Sequence, residues 1–160
     1  MELHRGISRR LHEEHQATLA LWGRLERVLL SPTGRWPPTD PDTLGLLRRA
    51  AAALAEDITR HFQFEEEQLF PRLAAAGEGD IAELLAEEHA SIRAAARQFA
   101  AGLAFDSFDS HGWDSLRAVV LELAERLVSH VQKEEMSMLP ALDDLLDENA
   151  DRELQLAYSN

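Results

Sequence analysis

The chain has 160 residues and a formal net charge of −13, with 45% hydrophobic and 28% charged residues. This length and composition predict one folded domain with a substantial core. The negative charge argues against binding to nucleic acid or to an anionic membrane surface. The absence of cysteine excludes disulfides, zinc–thiolate sites, iron–sulfur clusters and thiol catalysis. With neither a signal-peptide pattern nor a run of about 18 apolar residues, we expect a cytoplasmic protein that does not cross a membrane.

Helix-forming residues fill four long stretches, which are separated by segments rich in Gly, Pro, Ser and Asp. We predict helices over 8–30, 41–74, 80–104 and 113–147, with Asp80 capping the third. The segment Asp151–Tyr158 is expected to add a helical turn or to fray. Because the connections are short, the pattern predicts an all-α, up-down-up-down four-helix bundle that forms one domain over 1–160.

The second and fourth stretches share a polar motif on their apolar faces. Apolar residues recur at steps of three and four, as in the seam of a left-handed bundle. This seam continues into His61 and Glu65 in the second stretch, and into His130 and Glu134 in the fourth. Both pairs of equivalent residues are 69 positions apart. The motif His-x-x-x-Glu is therefore used twice in equal phase.

The first and third stretches repeat as well. Glu13-Glu14-His15 aligns with Glu87-Glu88-His89 at an offset of 74 residues, and apolar residues around the two segments also match. The chain thus consists of two helical hairpins of one design. His15 and His89 lie in the apolar seams of their helices, like the two His-x-x-x-Glu motifs.

These residues predict a metal site inside the bundle. Residues four apart project from one face of a helix, so each His-x-x-x-Glu makes a two-pronged set of ligands. An antiparallel bundle can bring six candidate ligands to one level: His15, His61, Glu65, His89, His130 and Glu134. Carboxylates in a dry core need compensating charge, which two divalent cations would supply, with each glutamate bridging both. The donor set suits iron best, then manganese or zinc.

Each of these residue types also has a simpler structural interpretation. A single His-x-x-x-Glu is normally a surface pair, and a lone buried histidine is normally a hydrogen-bonded core residue. Two copies joined by two Glu-His pairs make that interpretation unsatisfactory. His12 competes with His15 as a ligand, but its repeat partner is Ala86, so we favour His15. We expect His4 and His111 to be solvated. Four glutamates are expected at the surface or orienting the imidazoles: Glu14, Glu66, Glu88 and Glu135.

The layout resembles the hemerythrin-like, or HHE cation-binding, family. The segments 65–71 and 134–140, which read Glu-Glu-Glu-Gln-Leu-Phe-Pro and Glu-Glu-Met-Ser-Met-Leu-Pro, are similar to family signatures. The resemblance implies a non-haem di-iron centre, with an Fe–O–Fe or Fe–OH–Fe bridge and with Glu65 and Glu134 bridging the ions. Relatives bind dioxygen, sense oxygen or iron, respond to nitric oxide or repair iron centres.

The sequence departs from the oxygen carriers of that family. Where their third helix usually offers a second histidine, this chain has Arg93, and where their fourth helix has an Asp ligand, position 135 is Glu and Glu134 matches better. Fewer imidazoles leave more open coordination positions. This difference favours redox reaction, sensing or iron handling over reversible oxygen carriage, and the absence of cysteine ranks repair lower.

Several functions therefore stand as hypotheses. The favoured one is a module that binds or senses dioxygen, nitric oxide or the cellular iron and redox state. Such a sensor would need a partner protein or would signal by changing shape. A homodimer or a complex with a separate partner protein is expected. The alternatives are a di-iron oxidase or peroxide-consuming enzyme, and an iron storage or repair protein. The remaining hypothesis is a metal-free interaction bundle. The pattern favours a metal-binding or sensor module over a dedicated enzyme.

Overall fold

The computed structural model describes residues 2–31, 41–104 and 110–160. Most of the predicted breaker segments 31–38 and 107–112 lies outside this part of the chain. The described residues are almost entirely helical and contain no strand. The prediction of an all-α fold is therefore confirmed.

The described chain forms four long helices and one shorter helix. Helix α1 is Gly6–Leu30, α3 is Gly79–Leu103 and α5 is Glu148–Ser159. Helix α2 covers 41–75 and contains two π-helical turns, Ile58–Phe62 and Glu65–Leu69. Helix α4 covers 110–145 and contains one, Glu134–Met138. The ends of the four long helices differ from the predicted ends by at most three residues.

Two local predictions differ from the structure. The C-terminal segment is a helix of 12 residues with Asp147 as its N-cap, rather than a single turn. Helix α3 begins at Gly79, so Asp80 lies in its first turn and does not cap it. Gly77 ends the preceding helix with a φ of +92°, a conformation that favours glycine, and this early reversal lets α3 begin sooner.

The four long helices form a closed bundle. Helix α1 packs against α2 and α4, and α3 packs against the same two helices, while α5 lies against α1. Successive helices joined by short connections run antiparallel, so this arrangement has the predicted up-down-up-down topology. Within the part of the chain that the structure describes, no helix is both long enough and apolar enough to span a membrane.

The core consists of two apolar clusters with a polar layer between them. The upper cluster includes Trp22, Leu25, Leu54, Ile92, Phe99, Val120 and Leu127. The lower cluster includes Ile7, Leu11, Leu69, Leu85, Met138, Leu142, Leu154 and Tyr158. Along α1, His15 separates Leu11 of the lower cluster from Trp22 of the upper one. The histidines of the other three long helices are placed in the same way, so all four helices carry polar residues at one depth.

Two of the three π-helical turns, Glu65–Leu69 and Glu134–Met138, each lie just before a proline inside a helix. The N–H of Phe70 donates to the carbonyl of Glu65, and that of Leu139 donates to the carbonyl of Glu134, each five residues back. Pro71 and Pro140 follow directly. A proline in a helix lacks an N–H donor and its ring crowds the carbonyl four residues earlier, which the wider turn relieves. The two turns that begin at Glu65 and Glu134 are therefore equivalent, as the sequence repeat requires.

Candidate metal centre

The polar layer holds six buried ionisable side chains, and they are the six predicted ligands. Their exposed fractions range from 0% for Glu65 and His89 to 5% for His61. Helices α1 and α3 contribute one histidine each, and α2 and α4 each contribute a histidine and a glutamate. Each of the six residues lies on the buried face of its helix, since it continues the spacing of three and four residues at which the apolar side chains recur.

The six side chains form two groups that share both glutamates. Position A comprises His15, His61, Glu65 and Glu134, and position B comprises His89, His130, Glu65 and Glu134. In each group the potential ligand atoms lie within 4.8 Å of one another. The sequence left the pairing of histidines open, and the geometry pairs His15 with His61 and His89 with His130.

Each shared carboxylate presents one oxygen to each position. Oε1 of Glu65 lies 2.8 Å from Nε2 of His61, and its Oε2 lies 3.2 Å from Nε2 of His89. Oε2 of Glu134 lies 2.8 Å from Nε2 of His15, and its Oε1 lies 2.7 Å from Nε2 of His130. Both glutamates therefore stand where a carboxylate that bridges two cations would stand.

Four further glutamates bind the outer nitrogens of the imidazoles. The Nδ1 atoms face carboxylate oxygens at 2.6 Å for His15–Glu135, 2.9 Å for His61–Glu14, 3.3 Å for His89–Glu66 and 3.4 Å for His130–Glu88. An ionised carboxylate only accepts hydrogen bonds, so each Nδ1 carries the proton. This fixes every ring with Nε2 directed into the centre, the arrangement typical of histidines that bind metals.

The inner atoms fit a pair of cations. The Nε2 atoms of His15 and His61 are 3.2 Å apart, and those of His89 and His130 are 3.0 Å apart. Two nitrogens bound at right angles to one ion, with bonds of about 2.1 Å, are about 3 Å apart. While the inner Nε2 atoms carry no proton, both oxygens of Glu65 and one of Glu134 are buried without a hydrogen bond from the described residues. Buried acceptors of this kind are costly unless a cation neutralises them.

The family comparison agrees with this geometry. The chain matches the family model of the hemerythrin HHE cation-binding domain over residues 6–142. The chain belongs to this family. A search of curated proteins finds no significant match. The family match and the two His/Glu groups together make this a cation-binding, hemerythrin-like protein.

Without a metal ion, protons balance the charges in this hemerythrin-like centre. Burial alone would lower the pKa of His15, but hydrogen bonds to Glu134 and Glu135 outweigh it and raise that pKa to about 9. The pKa of His89 rises to about 9 because Glu134 and Glu65 likewise outweigh burial. Burial would raise the pKa of Glu134, but His130 and its neighbours hold it well below the usual range. Protons and metal ions therefore compete for the same Nε2 atoms.

Helix α5 brings Tyr158 to the centre. This helix follows the range matched by the hemerythrin family model. Tyr158 is buried, stacks on Phe64 with ring centroids 4.5 Å apart, and donates a hydrogen bond from its hydroxyl to Oε2 of Glu14. The sequence did not reveal this contact. The available signal was the pair Leu154 and Tyr158, which are four residues apart and follow the capping residue Asp147.

The remaining histidines lie away from the inner centre. His12 is partly exposed and its Nδ1 is 2.7 Å from Oε2 of Glu135, so it shares with His15 the carboxylate that orients that ring. His4 is exposed. The side chain of His111 lies outside the described part of the chain.

Proposed function

We propose that this protein is a non-haem di-iron protein in which positions A and B each hold one iron ion. The ligands would be His15, His61, Glu65, His89, His130 and Glu134. The observation that supports this most directly is the pair of four-residue groups that share both glutamates. Neutral imidazole suits iron, and carboxylate suits the harder, more highly charged ions. Manganese or zinc would occupy the same donors, with different or no redox chemistry.

The residues around the centre would exclude bulk water while leaving coordination positions free. Each position offers two imidazole nitrogens and two carboxylate oxygens, which is fewer donors than the six that iron commonly accepts. Phe62 stacks on His89 with ring centroids 3.9 Å apart and an angle of 2° between the planes. Because the six candidate ligands are at most 5% exposed, we expect only small molecules to reach the remaining coordination positions. Iron held in this way would supply redox chemistry and affinity for dioxygen or nitric oxide.

We propose further that the protein binds or senses such a diatomic ligand, or the iron and redox state of the cytoplasm. Where oxygen carriers have a second histidine, this chain has Arg93, whose guanidinium stays protonated and offers no nitrogen ligand. It is paired instead with Glu66 at 2.6 and 2.7 Å. The lower number of imidazoles supports sensing or redox reaction over reversible oxygen carriage. The net charge of −13 argues against nucleic acid as a partner.

A second candidate is an oxidase or a peroxide-consuming enzyme. It is favoured by the same count of four protein donors at each position, which leaves room for a reactant beside both ions. Iron storage or repair would also use open positions, and the absence of cysteine weakens the case for repair.

The test of the metal assignment is elemental analysis with an absorption spectrum. We expect about two irons per chain and near-ultraviolet charge-transfer absorption. Glu65→Gln should lose at least one iron, whereas Glu67→Gln, two residues away in the same helix and exposed, should keep both. Zinc in place of iron would contradict the redox function, whereas manganese would keep the site and change its redox chemistry. A folded protein that takes up no metal after iron loading would overturn the proposal.

The response of the protein to added small molecules distinguishes the binding hypothesis from the enzyme hypothesis. If the protein is a sensor, nitric oxide or azide should change the absorption spectrum at stoichiometric ligand, and peroxide should not turn over. Catalytic consumption of peroxide that is lost in Glu134→Gln but kept in Glu122→Gln, an exposed residue of the same helix, would instead establish the enzyme.

A further inference from the structure

Positions A and B have ligands of the same kinds, but different groups contact the outer side of their imidazoles. The repeat gives each position two histidines and the two shared glutamates. The glutamates that accept from Nδ1 of the histidines are here said to lie behind the position that those histidines line. The two glutamates behind position B are bound to Arg and Lys at short distances, and the two behind position A are not.

Behind position A the outer carboxylates bind the imidazoles tightly. Glu135 accepts from Nδ1 of His15 at 2.6 Å, and its other oxygen accepts from His12 at 2.7 Å. Glu14 lies 2.9 Å from Nδ1 of His61. The cations nearest Glu14 belong to partly exposed or exposed arginines and are distant, with nitrogen–oxygen separations of 3.7 Å for Arg10 and 3.9 Å for Arg60.

Behind position B the outer carboxylates are already neutralised. Arg93 holds both oxygens of Glu66 with a two-pronged contact of 2.6 and 2.7 Å, and Nδ1 of His89 is 3.3 Å away. Lys133 contacts Glu88 at 2.6 Å, and Nδ1 of His130 is 3.4 Å away. Both imidazole contacts are longer than those behind position A, as expected when a cation competes for the acceptor.

This difference changes the strength of the imidazoles as metal ligands. A carboxylate that accepts strongly from Nδ1 pushes electron density toward Nε2 and makes the ring a better donor to a metal ion. A carboxylate whose charge is matched by Arg or Lys does so less, and the nearby positive charge also repels the ion. At position A, Tyr158 weakens the effect of Glu14 on His61, because it donates a hydrogen bond to the oxygen of Glu14 that His61 also contacts. Its hydroxyl is neutral, so this contribution is smaller than that of a paired cation.

We propose that position A binds its metal ion first and more tightly, and that position B is the weaker, more readily exchanged position. The inference rests on the proposed binding of two ions at this centre. It assigns Arg93 and Lys133 as positioning residues that lower the affinity of position B through Glu66 and Glu88, without touching the ion themselves.

The test is a titration of the metal-free protein with Zn²⁺, which is diamagnetic and allows the rings to be observed by NMR. Calorimetry should resolve two binding steps whose dissociation constants differ by about tenfold or more. In spectra of protein labelled with ¹⁵N at the imidazoles, the first equivalent should shift the Nε2 signals of His15 and His61. The second should shift those of His89 and His130.

Charge-removing variants test the cause of the difference. Arg93→Gln and Lys133→Gln should each strengthen the second step several-fold and leave the first unchanged. Arg126→Gln, which removes an exposed arginine of α4 that pairs with Glu122, should change neither step. If Arg93→Gln and Lys133→Gln leave the ratio of the two constants unchanged, the proposed role of these two residues is wrong.

The failures of the two proposals give different results. Two Zn²⁺ ions that bind in one step, or that shift His89 and His130 first, would overturn the inequivalence and leave the two-ion centre intact. Binding of fewer than two ions would contradict the two-ion centre itself, and with it the inference.

Discussion

At the scale of single residues, the outer glutamates determine what the histidines can do. Glu135 binds two imidazoles, one belonging to the buried His15 and one to the partly exposed His12. Its charge holds the proton of His15 on Nδ1 and so keeps Nε2 available for a metal ion. The candidate ligand His15 therefore depends on a residue that lies outside the inner centre.

We accordingly expect Glu135→Gln to weaken metal binding by about tenfold, because a neutral amide polarises His15 less and can reverse its tautomer. His12→Ala is the matched control, since it removes the other partner of Glu135 and keeps the contact to His15. The dissociation constant of the His12→Ala variant for Zn²⁺ should stay within about threefold of the wild-type value. Competition with a chromophoric chelator for Zn²⁺ measures both. Equal losses in the two variants would show that His12 matters as much as the carboxylate.

The raised imidazole pKa values predict a pH dependence of stability that metal reverses. In the metal-free protein, His15 and His89 have pKa values of about 9, against an ordinary value of 6.5. Between these values the folded state binds more protons than the unfolded state. This stabilisation is therefore complete below pH 6.5 and lost as the pH rises through about 9, at up to about 1.4 kcal/mol per pH unit for each proton.

Urea denaturation of the protein with chelator should show this fall in the free energy of unfolding. The metal-loaded protein should become more stable over the same range, because coordination requires Nε2 without its proton. A metal-free protein whose stability does not decrease between pH 6.5 and 9 would contradict the assigned proton positions.

At the scale of elements, carboxylates of α5 and of the end of α4 cap the N-terminus of α1. Arg5 is the N-cap residue of α1 and supplies no side-chain hydrogen bond. Instead, Asp143 accepts from the backbone N–H groups of His4 and Arg5 at 2.7–3.0 Å. Asp151 accepts from those of Gly6 and Ile7, each at 2.9 Å. Carboxylates from distant segments thus satisfy the free donors of a helix N-terminus and interact favourably with its dipole.

Asp151→Ala should lower the free energy of unfolding by about 1–2 kcal/mol, as expected for loss of a capping carboxylate. Glu153→Ala removes the same charge from an exposed position of α5 and should cost no more than about 0.5 kcal/mol. Chemical denaturation of the two variants in parallel provides the measurement. A similar cost for both would indicate that general charge, and not the cap, is responsible.

The sequence predicted the long helices well because their periodicity is set by burial, which the bundle preserves. It did not predict the π-helical turns, although Pro71 and Pro140 inside strong helical patterns were the available signal. It also underestimated α5. A 12-residue helix is marginal on its own, and its stability comes from packing against α1, which only the tertiary structure reveals.

The candidate ligands were predictable for a different reason. Two His-x-x-x-Glu motifs and two Glu-His pairs at constant offsets identify the six inner residues without any coordinates. Which histidines pair, and which nitrogen of each faces inward, depend on helix rotation and on contacts between helices. Those features are not encoded in spacing along one helix. The same holds for Arg93, whose contact with Glu66 joins α3 to α2.

At the scale of the whole molecule, the bundle is divided by a charged layer. Apolar clusters lie above and below it, and every long helix passes through all three levels. The apolar clusters stabilise the fold regardless of metal. The layer contributes favourably only when its carboxylates and imidazoles are matched by protons or metal ions.

Removal of metal should therefore lower the stability of the entire bundle. When the free metal ion is present at 100 times the dissociation constant of a site, its binding adds about 2.7 kcal/mol to the free energy of unfolding. The metal-loaded protein should melt at a clearly higher temperature than the chelated one, in a single transition, because the helices link both clusters. Glu65→Gln should reduce this difference sharply, while Glu67→Gln should retain it. Separate melting of two regions would contradict the cooperative behaviour.

The outer carboxylates connect the long helices in a closed circuit. Glu14 of α1 serves His61 of α2, Glu66 of α2 serves His89 of α3, Glu88 of α3 serves His130 of α4, and Glu135 of α4 serves His15 of α1. Each of these glutamates is the chain neighbour of an inner residue of its own helix. A rotation of one helix would thus move its own inner residue and, at the same time, the glutamate that binds the histidine of the next helix. During divergence, the helices of such a protein can change only in concert, and coupled substitutions should trace the circuit from one helix to the next.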